Sequence, residues 1–257
     1  MQNRLATIGY CIYCGSTQPP LTREHIIPEG LGGRDFIAEA SCAKCQIITS
    51  KFEQQFLRGI NWPARVKLGM RGRKRKAPPP LLPVQRSINY GERKETVMVP
   101  PDEVPVQLSL VTLEPPGLLC GKPEKRELRR TGYITVVKYK HVRTHSVGPG
   151  DSIAVVCNAV DTVRTAAKAA HAHCFAKGEL VDFKPMLLDL IMSGDLNCSD
   201  VIGTPRDGEY IRPKRGVQGH LVESYRTNVG SDWFLVSRVT FFPAEGGPTY
   251  LIVVGKK

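Results

Sequence analysis

The sequence predicts an α+β protein in two parts, a small amino-terminal module followed by a larger mixed α+β domain. Three observations support this division. Two Cys-x-x-Cys pairs lie within the first 45 residues, a basic and proline-rich stretch follows them, and beyond that stretch strand patterns surround two helical ones. We therefore expect the module over residues 1–62, a linker over 63–84 and the second domain over 85–257.

The overall composition is that of a soluble protein able to bury a core. The chain has 257 residues, of which 41% are hydrophobic. No apolar run approaches the ~20 residues needed to span a bilayer, and the first residues lack the apolar core and cleavage site of a signal peptide. These features predict a cytoplasmic protein without a membrane partner.

The net charge of +12 favours a polyanionic partner, because Lys and Arg bind phosphates with release of counterions. A solvated basic surface is the alternative. The charge is concentrated in residues 65–76, RVKLGMRGRKRK, where glycines and the following APPPLLP predict a flexible connector and a stiff spacer. The predicted nucleic-acid-binding residues are Arg65, Lys67, Arg71, Arg73, Lys74, Arg75 and Lys76.

The four amino-terminal cysteines have the spacing of a metal site. Cys11 and Cys14 form one pair, and Cys42 and Cys45 form the other. Each pair can present two thiolates from one tight turn, which suits half of a tetrahedral zinc shell. Disulfides are disfavoured in a reducing cytosol, and a redox pair usually stands alone beside a βαβ pattern. We predict structural Zn²⁺, with disulfides or free thiols as the alternatives.

Between and after the cysteine pairs the patterns predict a strand, a loop, a second strand and a helix. LTREHII (21–27) and DFIAEA (35–40) have strand-like patterns, and EGLGG between them indicates a loop. From Ala43 the period becomes helical, with apolar residues four apart and a glycine that can end the helix: Ile48, Phe52, Phe56 and Gly59. Zinc would thus join the start of the hairpin to the start of the helix.

The first of these strands carries a polar pair, Glu24 and His25, directly before Ile-Ile-Pro and a Gly-Gly loop. The whole pattern is Cys-x-x-Cys, Glu-His-Ile-Ile-Pro, Gly-Gly, and Cys-x-x-Cys opening a helix. It resembles the HNH endonucleases, in particular the zinc-bearing branch of the ββα-metal nucleases related to endonuclease VII. The resemblance covers residues 8–58, less than a quarter of the chain.

This resemblance implies a ββα-metal (HNH) module that hydrolyses phosphodiester bonds in DNA, with RNA left open as a substrate. It implies that His25 is the general base. Glu24 and Gln46 would be ligands of a catalytic Mg²⁺ or Mn²⁺, and the imidazole and the carboxylate would face the same phosphate. Many members of the family act as dimers to break both strands, so a homodimer is a further implied partner.

Gln46 departs from the family, which usually has Asn or His at this position. A Gln carbonyl can ligate a hard cation, but it carries no charge. The alternative is therefore an inactive HNH-type zinc module that binds nucleic acid or a protein partner. Glu29 and Glu53 are candidate replacement carboxylates, although we expect both to be solvated surface residues. For His25 the alternative is a hydrogen-bonded structural histidine.

Beyond the linker, strands are predicted at ETVMVP, VQLSLVTL, GYITVVKYKHV and SIAVVCNAV. A helix is predicted from Asp161 as N-cap to Gly178 as C-cap, and a second from Pro185. The buried face of the first helix is expected to hold Val163, Ala167, Ala170 and Cys174. The carboxy-terminal residues predict a meander of three strands.

The second domain resembles no family on these patterns, and its histidines suggest no metal site. His171 and His173 are two residues apart on the helix and are expected on different faces. His141 and His145 are expected at the surface, near phosphate. We expect the domain to recognise the target or to regulate cutting, as in a phage-defence or mobile-element protein.

Overall fold

The computed structural model describes residues 2–58, 65–66, 68–70, 81–88, 93–100, 106–138, 152–154, 159–206 and 219–257. In these residues the chain combines helices with sheets, which confirms the α+β class, and its amino-terminal part has the predicted order of elements.

The amino-terminal module is a three-stranded sheet followed by a helix. Its elements are β1 (Asn3–Thr7), β2 (Leu21–His25), β3 (Asp35–Cys42) and α1 (Ala43–Arg58). β3 is the central strand, antiparallel to β2 and parallel to β1. The order strand, loop, strand, helix is confirmed. The additional strand β1 was not predicted, because its five residues are mostly exposed and show no alternation.

A bulge interrupts the pairing of β2 with β3 next to the polar pair. Thr22 pairs with Ser41 and Glu24 with Ile37, so two steps along β2 correspond to four along β3. Within the bulge Glu39 adopts a φ of 52°, in the left-handed region. Bulges of this kind redirect side chains and increase the local twist. This bulge lies next to the pair formed by Glu24 and Ile37 and therefore helps to orient the side chain of Glu24.

Two antiparallel sheets follow, one of three strands and one of two. Their strands are β4 (Leu82–Ile88), β5 (Arg93–Val99), β6 (Val106–Leu113), β7 (Arg130–Lys138) and β8 (Ser152–Ala154). β4 pairs with both β5 and β8, and β6 pairs with β7. The predicted strands are present over the described residues with one exception, while residues 139–151 and 155–158 lie outside the description. Ala159 and Val160, predicted as the end of the strand SIAVVCNAV, belong to the helix that follows. β4 begins within the stretch 63–84 that the sequence predicts to be a linker.

The remaining elements form a helical layer and a five-stranded sheet. They are α2 (Ala159–Ala176), β9 (Lys184–Pro185), α3 (Leu188–Ser193), β10 (Ile202–Gly203), β11 (Leu221–Val229), β12 (Asp232–Thr240) and β13 (Thr249–Lys256). The sheet runs β10-β13-β12-β11, with β9 also paired to β13. β11, β12 and β13 are the predicted three-stranded meander, which is confirmed.

Two predicted helix starts are wrong. α2 begins at Ala159, so Asp161 lies in its first turn, where a carboxylate still interacts favourably with the helix dipole. The second helix begins at Leu188, because Pro185 instead pairs with Gly255 at the edge of the sheet. Gly178 does adopt the left-handed conformation expected after a helix, with a φ of 67°.

α2 lies at the centre of the molecule. Of its 18 residues 12 are buried, more than one face of an amphipathic helix would bury. It packs against α1 on one side and against β11, β12 and β13 on the other. Its alanines permit these close approaches. None of the described helices is both long and apolar enough to cross a membrane.

The module and the second part of the chain share one hydrophobic core. The rings of Phe56 in α1 and Phe241 after β12 are 5.2 Å apart between centroids. The guanidinium carbon of Arg164 in α2 lies 4.4 Å from the ring centroid of Phe52, a cation–π contact. These two contacts join α1 to α2 and to the residues that follow β12.

His220 joins the loop after β2 to the carboxy-terminal sheet in its neutral form. Its Nε2 lies 3.0 Å from the carbonyl oxygen of Leu31 and donates to it, while Nδ1 accepts a hydrogen bond of 3.3 Å from the backbone N–H of Phe242. A protonated ring would lose the second bond, since its Nδ1 has no lone pair. Burial lowers the pKa of His220 to about 4.

This pKa predicts acid sensitivity. The unfolded pKa is about 6.5, so the unfolded chain takes up the proton first and the free energy of unfolding falls as the pH drops towards 4. The loss from this group should be about 2.5 kcal/mol between pH 7 and pH 4.5. Urea unfolding at both pH values should show a smaller loss in His220→Gln than in the wild type. Equal losses would contradict the assignment.

Candidate metal centre and catalytic site

Four cysteine sulfurs converge in the module. The Sγ atoms of Cys11, Cys14, Cys42 and Cys45 all lie within 4.8 Å of one another, and none of these residues forms a disulfide. Cys14 and Cys42 are 3.7 Å apart between sulfurs, close to the ~3.8 Å edge of a tetrahedron with Zn–S bonds of about 2.3 Å. The four predicted ligands are therefore brought together, and the donor set fits structural zinc.

Each cysteine pair is positioned by local backbone geometry. In the first pair Gly15 takes a φ of 73° and its N–H bonds to the carbonyl of Cys11 at 2.8 Å, which closes the turn. In the second pair Cys42 ends β3 and Cys45 lies in the first turn of α1. The cluster therefore ties the segment before β2 to the junction of β3 and α1, as the sequence predicts.

The thiols are poised for a cation. The backbone N–H of Cys45, at the helix start, bonds to the sulfur of Cys42 and lowers its pKa to about 7, with the other sulfurs contributing. Burial raises the pKa of Cys45, and the neighbouring sulfurs raise it further. Four thiolates so close together repel each other, and a bound dication removes that repulsion.

A second cluster, formed by carboxylates, lies between the sheet and the helices. Oε1 of Glu24 is 2.5 Å from Nζ of Lys168 in α2, and Oε1 of Glu53 in α1 is 2.6 Å from the same atom. The ammonium also donates a 2.7 Å hydrogen bond to the carbonyl oxygen of His25, 143 residues away in sequence. We call Glu24, Glu53 and the His25 carbonyl the oxygen cage.

The cage is almost completely buried. Glu24 is 5% exposed and Lys168 is 1% exposed. Burial alone would lower the pKa of Lys168, but the carboxylates of Glu24 and Glu53 outweigh it and raise that pKa above its usual value. Burial raises the pKa of Glu53, with Lys168 opposing and Glu24 adding to the rise. Lys168 is therefore charged and holds two acidic side chains in the interior.

The cage corrects one expectation of the sequence. Glu53 was expected at the solvated surface, but its side chain is only 17% exposed and is ion-paired. It lies seven positions after Gln46, which places both on one face of α1. Lys168 was not identified at all. The available signal was a lone lysine in the alanine-rich stretch TAAKAAHAH of α2.

His25 has surroundings different from those of Glu24. It is the last residue of β2 and pairs across the strands with Phe36, with 5.9 Å between ring centroids. The guanidinium carbon of Arg23 lies 5.8 Å from the centroid of the same Phe36 ring. Side chains alternate along a strand, so Glu24 turns towards α2 and His25 towards Phe36. The described contacts do not bring the two together, and their convergence on one phosphate stays a prediction.

Gln46 lies in the first turn of α1 and is half-buried. Its backbone carbonyl accepts a hydrogen bond from the hydroxyl of Thr49 at 3.3 Å. Within the described part of the chain, no hydrogen bond or ion pair links its side chain to Glu24. Its role as a metal ligand also stays a prediction.

Of the predicted nucleic-acid-binding residues the structure describes Arg65. Its Nε donates to the carbonyl of Gly30 at 2.5 Å and its Nη1 to that of Leu57 at 3.0 Å, and burial lowers its pKa. Arg65 thus ties the loop after β2 to the end of α1. Outside the described residues lie Lys67, Arg71, Arg73, Lys74, Arg75 and Lys76, together with Gly59, His141 and His145.

Comparison with known proteins identifies the amino-terminal part of the chain. Residues 11–60 match the family model described as HNH endonuclease. The match spans both cysteine pairs, the Glu24–His25 pair and the whole of α1. It confirms the resemblance for this module. No curated protein and no solved structure matches the chain.

Proposed function

Because residues 11–60 form an HNH-type module, we propose that the chain is an endonuclease that hydrolyses phosphodiester bonds in DNA. The observation that carries the proposal is the cysteine cluster, which joins the hairpin bearing Glu24 and His25 to α1 within the stretch that matches the family. The net charge of +12 supports a polyanionic substrate.

In this proposal the candidate site residues have distinct roles. His25 accepts a proton from the attacking water. Glu24 and Gln46 would hold Mg²⁺ or Mn²⁺, since carboxylate and amide oxygens are ligands of hard cations. A metal held there would supply stabilisation of negative charge on the phosphate and on the leaving oxygen. The four cysteines would hold zinc and so fix the hairpin against the helix, and the basic connector binds flanking phosphates.

The proposal is tested with zinc-loaded wild-type protein and supercoiled plasmid. Nicked or linear DNA should form when Mg²⁺ or Mn²⁺ is added and should not form in buffer without added divalent metal. Zinc content is measured in parallel, and chelators are avoided because they also remove structural zinc. A single-stranded RNA of equal length tests the substrate class. Metal-independent cutting, or cutting of RNA alone, would contradict the proposal.

A second candidate function has one specific observation in its favour. Lys168 pairs with Glu24, the carboxylate that would hold the catalytic metal. A permanent pair would make the module a non-catalytic zinc-bearing unit that binds nucleic acid. Tight, salt-sensitive DNA binding without cleavage at any Mn²⁺ concentration would favour this candidate over the endonuclease.

A further inference from the structure

We propose that the oxygen cage is a binding site for a hard divalent cation and that Lys168 occupies it from within the chain. The inference deepens the proposed function, on which it rests for its catalytic consequence. It assigns Glu53 as a metal ligand and α2 as the element that keeps the site closed.

The geometry of the cage is that of oxygen ligands around a cation. Three oxygens, from Glu24, Glu53 and the His25 carbonyl, lie 2.5, 2.6 and 2.7 Å from a single positively charged atom. Two carboxylates and a carbonyl are the donors that Mg²⁺, Mn²⁺ and Ca²⁺ prefer. The ammonium of Lys168 and a divalent ion would compete for the same oxygens.

The charge of the cage fits a dication better than it fits the lysine. When both carboxylates are ionised, one ammonium leaves one negative charge uncompensated in the interior, whereas a divalent ion would balance both carboxylates. Neutrality matters here because a buried unpaired charge is costly. In its ionised form the cage therefore carries more negative charge than the single ammonium of Lys168 neutralises.

A buried phenol gives independent support. Tyr13 is 5% exposed, and among the described residues its hydroxyl has no well-formed hydrogen bond. Its hydroxyl lies beside the Glu24 carboxylate of the cage. A hydroxyl in this position can hydrogen-bond to an additional ligand such as a metal-bound water.

One face of α2 keeps the oxygen cage closed. Arg164, Lys168 and His171 are four and three residues apart and form a polar stripe on that helix. Arg164 lies over the ring of Phe52, Lys168 enters the cage, and Nε2 of His171 lies 3.0 Å from the carbonyl oxygen of Ile12. All three contact the module. Withdrawal of the ammonium therefore requires α2 to shift relative to the module.

The test removes the ammonium and keeps the apolar stem. Zinc-loaded Lys168→Met should bind one Mn²⁺ per chain, measured by the electron paramagnetic resonance signal of free Mn²⁺ and by calorimetry. Its affinity should exceed that of the wild type by on the order of tenfold or more. Lys177→Met removes a half-exposed lysine just after α2 and serves as the matched control, which should bind like the wild type.

The melting temperature provides a second measurement in case Lys168→Met folds poorly. A ligand that binds only the folded state raises the melting temperature, so Mn²⁺ should raise that of Lys168→Met far more than that of the wild type. Adding Glu24→Gln and Glu53→Gln to Lys168→Met gives a neutral cage that should fold without responding to Mn²⁺. A folded Lys168→Met without Mn²⁺ binding, or one whose binding survives Glu53→Gln, would overturn the inference. So would a Lys168→Met that stays unfolded in Mn²⁺ while the triple variant folds.

Cleavage assays on the same proteins separate this inference from the proposed function. If Lys168→Met binds Mn²⁺ and neither protein cuts DNA, the site stands and the endonuclease proposal fails. If both cut with the same Mn²⁺ dependence, the endonuclease stands and the inference fails. If both proposals hold, Lys168→Met reaches half-maximal cutting at a lower Mn²⁺ concentration than the wild type.

Discussion

Cys42→Ser is expected to unfold the amino-terminal module, at a cost on the order of 10 kcal/mol, because zinc binding in such modules is folding free energy. Cys42 lies at the end of β3, and its sulfur is 3.7 Å from that of Cys14. Serine cannot supply the thiolate. The remaining three sulfurs would hold zinc weakly, and the connection between the first cysteine turn and α1 would be lost.

Zinc content, circular dichroism and limited proteolysis of the full chain measure this effect. The variant should lose its zinc and become cleavable within residues 1–58. Cys120→Ser is the matched control, since Cys120 lies outside the cluster and is half-buried. It should keep its zinc. A Cys42→Ser protein with full zinc occupancy and protease resistance would refute a structural metal site.

His25→Ala is expected to lower the rate of metal-dependent DNA cleavage by about 10²- to 10⁴-fold, the usual contribution of a general base. The residue ends β2 between the two cysteine pairs, within the stretch that matches the HNH endonuclease family.

Added imidazole distinguishes a base from a structural side chain. A small base in solution can enter the space left by His25→Ala and should restore part of the cleavage rate. Zinc content and melting temperature are measured on the same protein to show that the module is intact. Wild-type activity in His25→Ala, or a folded and zinc-loaded variant that imidazole does not rescue, would remove His25 from the proposed mechanism.

Local patterns were sufficient for the parts of the fold held together over short distances in sequence. The spacing within each cysteine pair predicted the cluster, because two residues between thiols bring both to one turn. The meander of β11, β12 and β13 followed from strand patterns separated by short turns. Pro185 was misassigned because its pairing with Gly255 depends on a sheet edge 70 residues further on.

The oxygen cage could not be predicted for the same reason. Lys168 meets residues of β2 and α1 that lie more than 100 positions earlier, and no periodicity within either segment records that contact. In α2 the lysine and His171 have the pattern of a solvent-facing stripe. The structure buries that stripe because the module covers it, and Nζ of Lys168 and Nε2 of His171 find partners there.

This arrangement has a consequence for dissecting the protein. Residues 1–62 expressed alone would expose Phe52 and Phe56 to water and would leave Glu24 and Glu53 without their countercharge. A transfer of the functional module to another protein would also have to include the helix of residues 159–176. The smallest part of this protein that could be transferred with its function therefore comprises two segments that are distant in sequence.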